Sequence, residues 1–267
     1  MRSAVVFDVD GVLVDSPHER AWQETLAELV RGEWSDIAAG TRYGQQLFDT
    51  VVYQNIVAGK PRLSGAQAIL EYFGFPDIER RATRYADAKQ RRLVELISSG
   101  AFHPFPDALR LVRRLRRRNV PLAAASSSKN ANDMLRRIAL DERTALAPAV
   151  DAGRMALFDC FAVNVCGVKV AKGKPAPDLF LLAAAELAVD PAACIVVEDA
   201  PAGVAAAKNG GMKAIGIARL HDEAMLSASG ADLVVESLDL VRIDFSPFGN
   251  LSIRACLQLG IPKSANE

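Results

Sequence analysis

The chain has 267 residues, half of them hydrophobic, and sets 32 lysines and arginines against 32 aspartates and glutamates. That length and apolar content suffice for one large core or two modest ones. The zero formal net charge excludes a general electrostatic grip on nucleic acid or an anionic membrane, and no run is long and apolar enough to span a bilayer.

The first predicted element is "AVVFDVD" (4–10), an apolar run that reads as a buried strand. It starts so close to the N-terminus that no signal peptide is expected, and the chain reads as a soluble, cytoplasmic protein. Asp8, Asp10 and Asp15 crowd its end. Clustered carboxylates repel each other and are costly to desolvate, so something must neutralise them. On an extended chain Asp8 and Asp10 point the same way, about 6–7 Å apart along the backbone. Such a pair can share a divalent cation or divide the roles of nucleophile and proton shuttle, and Gly11 lets the chain turn away.

Residues 17–100 have a different texture. "HERAWQETLAELV", "SGAQAILEYFG" and "ERRATRYADAKQRRLVELI" show helical spacing with no convincing strand among them. They read as a helical domain inserted after the first strand, with hinges near Ser16–Pro17 and Gly100–Pro106. Residues 1–16 and 101–267 would then form one core domain.

Past residue 100, short apolar runs return: "VPLAAASSS" (120–128), "CIVVEDA" (194–200), "KAIGIA" (213–218) and "ADLVVES" (231–237). Helical patterns at 107–118, 130–140, 178–188 and 201–209 lie among them. Alternating strands and helices predict an α/β fold, a doubly wound parallel sheet covered on both faces. In "RLVRRLRRRN" (110–119) the apolar residues form a stripe, so the arginines read as a solvated face rather than a nucleic-acid patch. The tail after Val241 fits a last strand or helix with a frayed end. Cys160, Cys166, Cys194 and Cys256 lack close pairing and read as reduced thiols.

In open parallel sheets, sites form beyond the carboxyl ends of the strands. Three predicted strands place reactive groups there: Asp8 with Asp10, Ser126 in "SSSKN", and Glu198 with Asp199. Lys174 in "GKPAPD" reaches them from a loop. The acidic set is a hard, oxygen-rich site suited to Mg²⁺. The serine run before a helix is an anion cradle or a plain helix cap. Taken together, the nucleophile, hydroxyls, lysine and metal-type carboxylates point to phosphoryl transfer through an aspartyl phosphate.

"DVDGVLVDS", "AAASSSKN", "GKPAPDLF" and "VVEDAPAGVAAAKNGG" resemble, in order and spacing, the four motifs of the haloacid dehalogenase superfamily. The resemblance covers residues 4 to about 237 and implies a Rossmann-like core with a helical cap. It implies that Asp8 attacks phosphorus and Asp10 acts as general acid/base. Ser126, Ser127 and Lys174 would bind the phosphoryl group, and Mg²⁺ would sit among Asp8, Asp10 (through its main-chain carbonyl), Glu198 and Asp199.

The helical insert is similar to that of the β-phosphoglucomutase-like subfamily. "HERAW" carries over His18 and Trp22, "GKPRLSGAQAIL" Arg62, "AKQRRLVELI" Lys89, and "SSSKN" Ser128, Lys129 and Asn130 as substrate contacts. For Trp22, packing inside the insert is the plainer reading. An arginine suits a second phosphate because its planar fork binds two oxygens. The implied activity interconverts sugar 1- and 6-phosphates, with phosphatase action on a small sugar phosphate or bisphosphate as the alternative. A small phosphorylated sugar is the expected partner, with no nucleic acid and no membrane, and a monomer is favoured. The segment "GEWSDIAAGTRYGQQLFDTVVYQ" is longer than its subfamily counterpart, and Leu93 stands where the subfamily has tyrosine. These departures lie where substrate choice is made.

Overall fold

The run that opens the chain forms the strand Ala4–Phe7, buried along its whole length. A computed structural model of the protein describes residues 3–58, 60–140, 155–245 and 251–255. The strand lies inside a six-stranded sheet, flanked by Leu122–Ala124 and Val163–Asn164 on one side. On the other side follow Cys194–Glu198, Lys213–Ile217 and Leu233–Val235, and every neighbouring pair is parallel. Numbered along the chain, the strands run 3-2-1-4-5-6 across the sheet. This is the Rossmann-like order, whose crevice between strands 1 and 4 is the switch point where ligands bind.

Alternation along the strands explains their unbroken apolar runs. Val5 and Phe7 face one hydrophobic cluster with Ile195, Val197 and Ile215; Ala4 and Val6 face another with Val196 and Ala214. Helices Pro106–Arg116 and Ala131–Arg137 cover the first face. Asp178–Glu186, Pro201–Asn209 and Glu223–Ala228 cover the second. With both faces covered, neither side of a central strand can be polar.

Helices His18–Arg31, Ser35–Ala38, Thr50–Ile56, Arg62–Phe73 and Ile78–Ser98 follow the first strand, and no strand lies among the described residues between 16 and 102. They share a cluster of their own around Trp22, Leu26, Trp34, Phe73 and Tyr85. Leu93, Leu96 and Ile97, at the end of the long helix, belong instead to the cluster under the sheet. Where the chain leaves and re-enters the sheet unit, Val14–Asp15 pairs antiparallel with His103–Pro104.

The structure adds three features to the sequence reading. The edge strand Val163–Asn164 is two half-buried residues, too short to form an apolar run. The helix expected over 130–140 ends at Arg137; Ile138 is extended and Ala139–Leu140 pairs with Met155–Ala156. The tail forms an antiparallel ribbon, Val241–Phe245 with Leu251–Ala255.

That ribbon also corrects the reading of the arginine helix as a purely solvated face. Arg110 forks Asp239, Arg114 donates to the Val241 carbonyl at 2.8 Å, and Arg118 to the Ile243 carbonyl at 3.2 Å. Four helical residues rise about 6 Å and two strand residues about 6.6 Å, so arginines four apart meet residues two apart on the ribbon. Two clefts, of about 250 and 410 Å³, lie along this arginine face rather than over Asp8. Cys160, Cys166 and Cys194 are buried free thiols; burial raises them to about 11, 12 and 11 respectively. Cys256 lies outside the described residues.

Candidate active site

Register brings the first motif and the last together. Phe7 pairs with Val197, and the Asp8 N–H donates to the Val197 carbonyl at 3.0 Å, so Asp8 and Glu198 emerge side by side at the switch point. Lys174 enters between them. Its Nζ lies 2.5 Å from Asp8 Oδ1 and also donates to Glu198 Oε1. All three groups are nearly inaccessible. Burial alone would push the Lys174 ammonium down, but the Asp8 and Glu198 carboxylates hold it well above its ordinary value. Burial raises the Asp8 carboxyl to about 7; Lys174 pulls it back, while Glu198 and Asp10 push it further up.

Glu198 is engaged by other partners in this structure. The sequence reading grouped it with the metal ligands, yet Oε1 accepts from Lys174 and Oε2 accepts from the Asp199 and Ala200 N–H groups at 2.9 and 3.0 Å. Both oxygens are engaged in holding the lysine and the loop. The groups left facing the crevice are Asp8, Asp10 and Asp199. The Asp199 carboxyl is pushed well up by burial and then by Glu198, Asp8 and Asp10. Gly11, at φ 76°, passes so close that a β-carbon on it would lie 1.8 Å from Asp199 Oδ2. Buried carboxylates that raise one another in this way lack counter-charge, and a hard divalent cation such as Mg²⁺ fits this all-oxygen donor set.

The side-chain oxygens of the three aspartates do not gather into one tight cluster. Among the described residues, the group of three that does is His221, Glu223 and Glu236, exposed or half-buried near the ends of neighbouring strands. The Asp10 side chain is instead held by Ser16, whose hydroxyl donates to Oδ1. Burial raises Asp10, opposed by that bond and by Lys89, so its carboxyl keeps its proton to higher pH than an exposed one.

On the other side of Asp8, the Ala125 N–H donates to the Phe7 carbonyl at 2.9 Å, which sets Ser126 at the mouth of the crevice. Ser126 Oγ accepts from the Ser128 N–H at 3.1 Å, and Ser128 Oγ from the Asn130 N–H at 3.3 Å. With backbone donors on their lone pairs, the hydroxyl protons are left to point outward, as an anion needs. Ser127 and Lys129 are exposed beside them.

The helical unit faces this site with a basic pair. Lys89, only 2% exposed, has its Nζ 3.1 Å from His18 Nδ1 and 4.9 Å from the centre of the Trp22 ring. Burial, and then Lys89, push the His18 imidazolium well below its ordinary range, so the ring is neutral. With the Lys89 ammonium donating to Nδ1, the ring proton belongs on Nε2, which lies 3.5 Å from Ser128 Oγ. Burial lowers the Lys89 ammonium to about 7, against the pull of Asp10 and with a push from Arg62.

Gln90 donates to Asn130 Oδ1 at 3.1 Å, a second link across the cleft. Arg62 opens its helix as an exposed residue. Trp22 is buried in the helical cluster, edge-on to Tyr85 and beneath Lys89.

Sequence reasoning missed Ser16, Gly203, Tyr53 and Arg219. A β-carbon on Gly203 would meet Glu198 Oε1, and Tyr53 is a buried phenol raised by burial and then by Asp10, Asp199 and Glu19. Ser16 lay within the quoted first motif, but Tyr53 stands in the segment that is longer than its subfamily counterpart.

The haloacid dehalogenase-like hydrolase family model matches residues 3–211. The chain belongs to the haloacid dehalogenase superfamily. Within it, the relatives support the β-phosphoglucomutase-like subfamily. A β-phosphoglucomutase of Bacillus subtilis (strain 168) is 34% identical over 243 residues, covering 87% of this chain and 88% of that protein. Hexitol phosphatase A of Escherichia coli (strain K12) is 28% identical, covering 93% and 97%. Among solved structures, CbbY from Rhodobacter sphaeroides in complex with xylulose 1,5-bisphosphate superposes with a TM-score of 0.64 at 25% identity, covering 90% of this chain and 96% of that one. A haloacid dehalogenase-type phosphatase or phosphotransferase is therefore the activity class of this chain. Among the described residues no helix is long and apolar enough to cross a membrane.

Proposed function

We propose that the protein is a Mg²⁺-dependent phosphotransferase that moves a phosphoryl group between hydroxyls of a small sugar phosphate by way of Asp8, most like β-phosphoglucomutase. The observation that carries this reading is Lys174 at 2.5 Å from a buried Asp8, under a helical unit that presents Lys89 and His18 to the same cleft. Residues 17–100 serve as a cap over the core of 1–16 and 101–267.

An oxygen of Asp8 attacks phosphorus, and the P–O bond to the sugar breaks. Asp10 gives its proton to the leaving sugar oxygen. In the second half, Asp10 takes the proton back from the incoming hydroxyl, which attacks the aspartyl phosphate and releases Asp8. Lys174 and the hydroxyls of Ser126 and Ser127 hold the phosphoryl oxygens, with Ser128 and Asn130 at the rim. Asp8, the Asp10 main-chain carbonyl and Asp199 would hold Mg²⁺, which would supply charge neutralisation for the phosphoryl group. Closure of the cap excludes water, which would otherwise accept the phosphoryl group.

One observation favours phosphatase action as the second reading. Arg62, the cap residue suited to a second phosphate, is exposed. The similarity to a hexitol phosphatase points the same way. The two readings separate when the protein is given β-glucose 1-phosphate, Mg²⁺ and catalytic β-glucose 1,6-bisphosphate. Glucose 6-phosphate is the expected product; release of inorganic phosphate alone sinks the mutase reading.

A further inference from the structure

Arg219 follows the strand Lys213–Ile217 and matches none of the four motifs, yet it holds both crossings between core and cap. Its Nη1 and Nη2 fork Asp107 at 2.9 and 3.0 Å. Nε lies 3.4 Å from the Gly11 carbonyl, and Nη2 3.4 Å from the Val12 carbonyl. The guanidinium also lies over the Phe105 ring, 3.9 Å from its centre. Gly11 and Val12 belong to the outgoing crossing, directly after Asp10. Phe105 belongs to the return crossing, where its N–H donates to the Leu13 carbonyl at 3.0 Å.

Asp107 is itself fixed to the sheet unit. It accepts from the Ala108 and Leu238 N–H groups at 2.9 and 2.8 Å and from the Ser237 hydroxyl at 3.3 Å. Only the 17% and 8% of the Arg219 and Asp107 side chains that remain exposed are open to screening by solvent. A lysine in place of Arg219 would offer one point of charge, and could not fork a carboxylate, stack on a ring and reach two carbonyls together.

We propose that Arg219 is a positioning residue that clamps the two hinge segments to each other and to the sheet, so that the loop carrying Asp10 stays in register while the cap moves. The inference rests on the proposed phosphoryl-transfer reading for its catalytic arm and on geometry alone for its structural arm.

The test is hydrogen exchange of the full-length protein in Mg²⁺, with p-nitrophenyl phosphate turnover as the catalytic probe. In Arg219→Ala, amides at 11–15 and 102–105 should exchange about tenfold faster, with Cys194–Glu198 unchanged. Turnover should fall about 10- to 100-fold in kcat with KM moved less than about threefold. Arg219→Lys should recover only part of either effect. Asp107→Asn, which removes the charge and leaves one acceptor oxygen where the carboxylate has two, should show the same pattern and serves if Arg219→Ala does not fold.

Hinge exchange equal to wild type, exchange that rises equally in the sheet, unchanged kcat, or full rescue by lysine each overturns the proposal. If the wild-type protein fails to turn over any phosphate ester, the catalytic reading falls and the exchange pattern alone decides this one.

Discussion

Gly203 stands directly against Glu198: a β-carbon on it would fall 1.8 Å from Oε1 and 2.0 Å from Cδ. Since Oε1 is the oxygen that holds Lys174, the smallest possible side chain there displaces the anchor of that lysine. Gly203→Ala should therefore lower kcat/KM about 100-fold, the scale of a one-ångström misplacement. Its stability cost should be about 1–3 kcal/mol, the range for overpacking a buried site. Steady-state kinetics beside urea unfolding checks this; a loss under about fivefold would mean that Glu198 has room to shift.

Lys174 neutralises two buried carboxylates, so removing it should cost more than one ion pair. Lys174→Ala should destabilise the protein by about 3–5 kcal/mol at pH about 8, where the buried carboxylates lose their counter-charge. The sign with pH is set by Asp8. Its carboxyl titrates near 7 even with the lysine pulling it down, so without the lysine it takes up a proton at still higher pH. At pH about 5.5 it is neutral in the variant, and the penalty should shrink there. Guanidinium unfolding at the two pH values measures the difference, and an equal or larger cost at the lower pH contradicts the account.

Much of this site was legible because its parts are local. Asp8, Asp10, Ser126, Lys174 and Glu198 each stand at a strand end or in a short loop, and the register of parallel strands does the rest. What stayed hidden depends on long-range meetings. Arg219 meets Gly11 some two hundred residues away, and nothing in "GIARLHD" marks it. The arginines of "RLVRRLRRRN" show an exposed face by periodicity, and only the fold reveals that Arg114 and Arg118 are fastened to the ribbon and Arg110 to Asp239 before it. The Glu198 bond to Lys174 stayed hidden for a related reason: its side-chain direction depends on Gly203 and Lys174, which spacing alone does not place.

The metal-free protein should bind Mg²⁺ with release of protons. Burial and carboxylate repulsion raise Asp8 and Asp199, and a cation on their oxygens needs them ionised. Affinity should rise up to about tenfold per pH unit between about 6 and 8 for each proton displaced. Without metal, native Asp8 keeps a proton that the unfolded chain has lost between 3.8 and about 7, so its contribution to stability falls as pH rises through that window. Saturating Mg²⁺ at about 100 times Kd should add about 2.7 kcal/mol. Calorimetry in buffers of different ionisation enthalpy counts the protons; no buffer dependence would show that the carboxylates are already ionised.

Lys89 gives the sharpest conflict between stability and function. Its ammonium is buried beside a neutral His18 and reaches only about 7 against an ordinary 10.5. Between those values the unfolded chain holds a proton that the native state has lost, so stability rises with pH across that window; below it the full cost of burying the charge is present. Lys89→Met keeps the length and the packing over Trp22 while removing the charge. It should stabilise the protein by about 1–3 kcal/mol at pH about 6, and by progressively less toward pH about 10 as wild type sheds its own proton. The same change should raise KM for a sugar phosphate, since the cap then offers that anion one cation fewer. Thermal unfolding across pH, read beside KM, tests both halves: a variant less stable than wild type at pH about 6 would mean that Lys89 is held by contacts stronger than its burial cost.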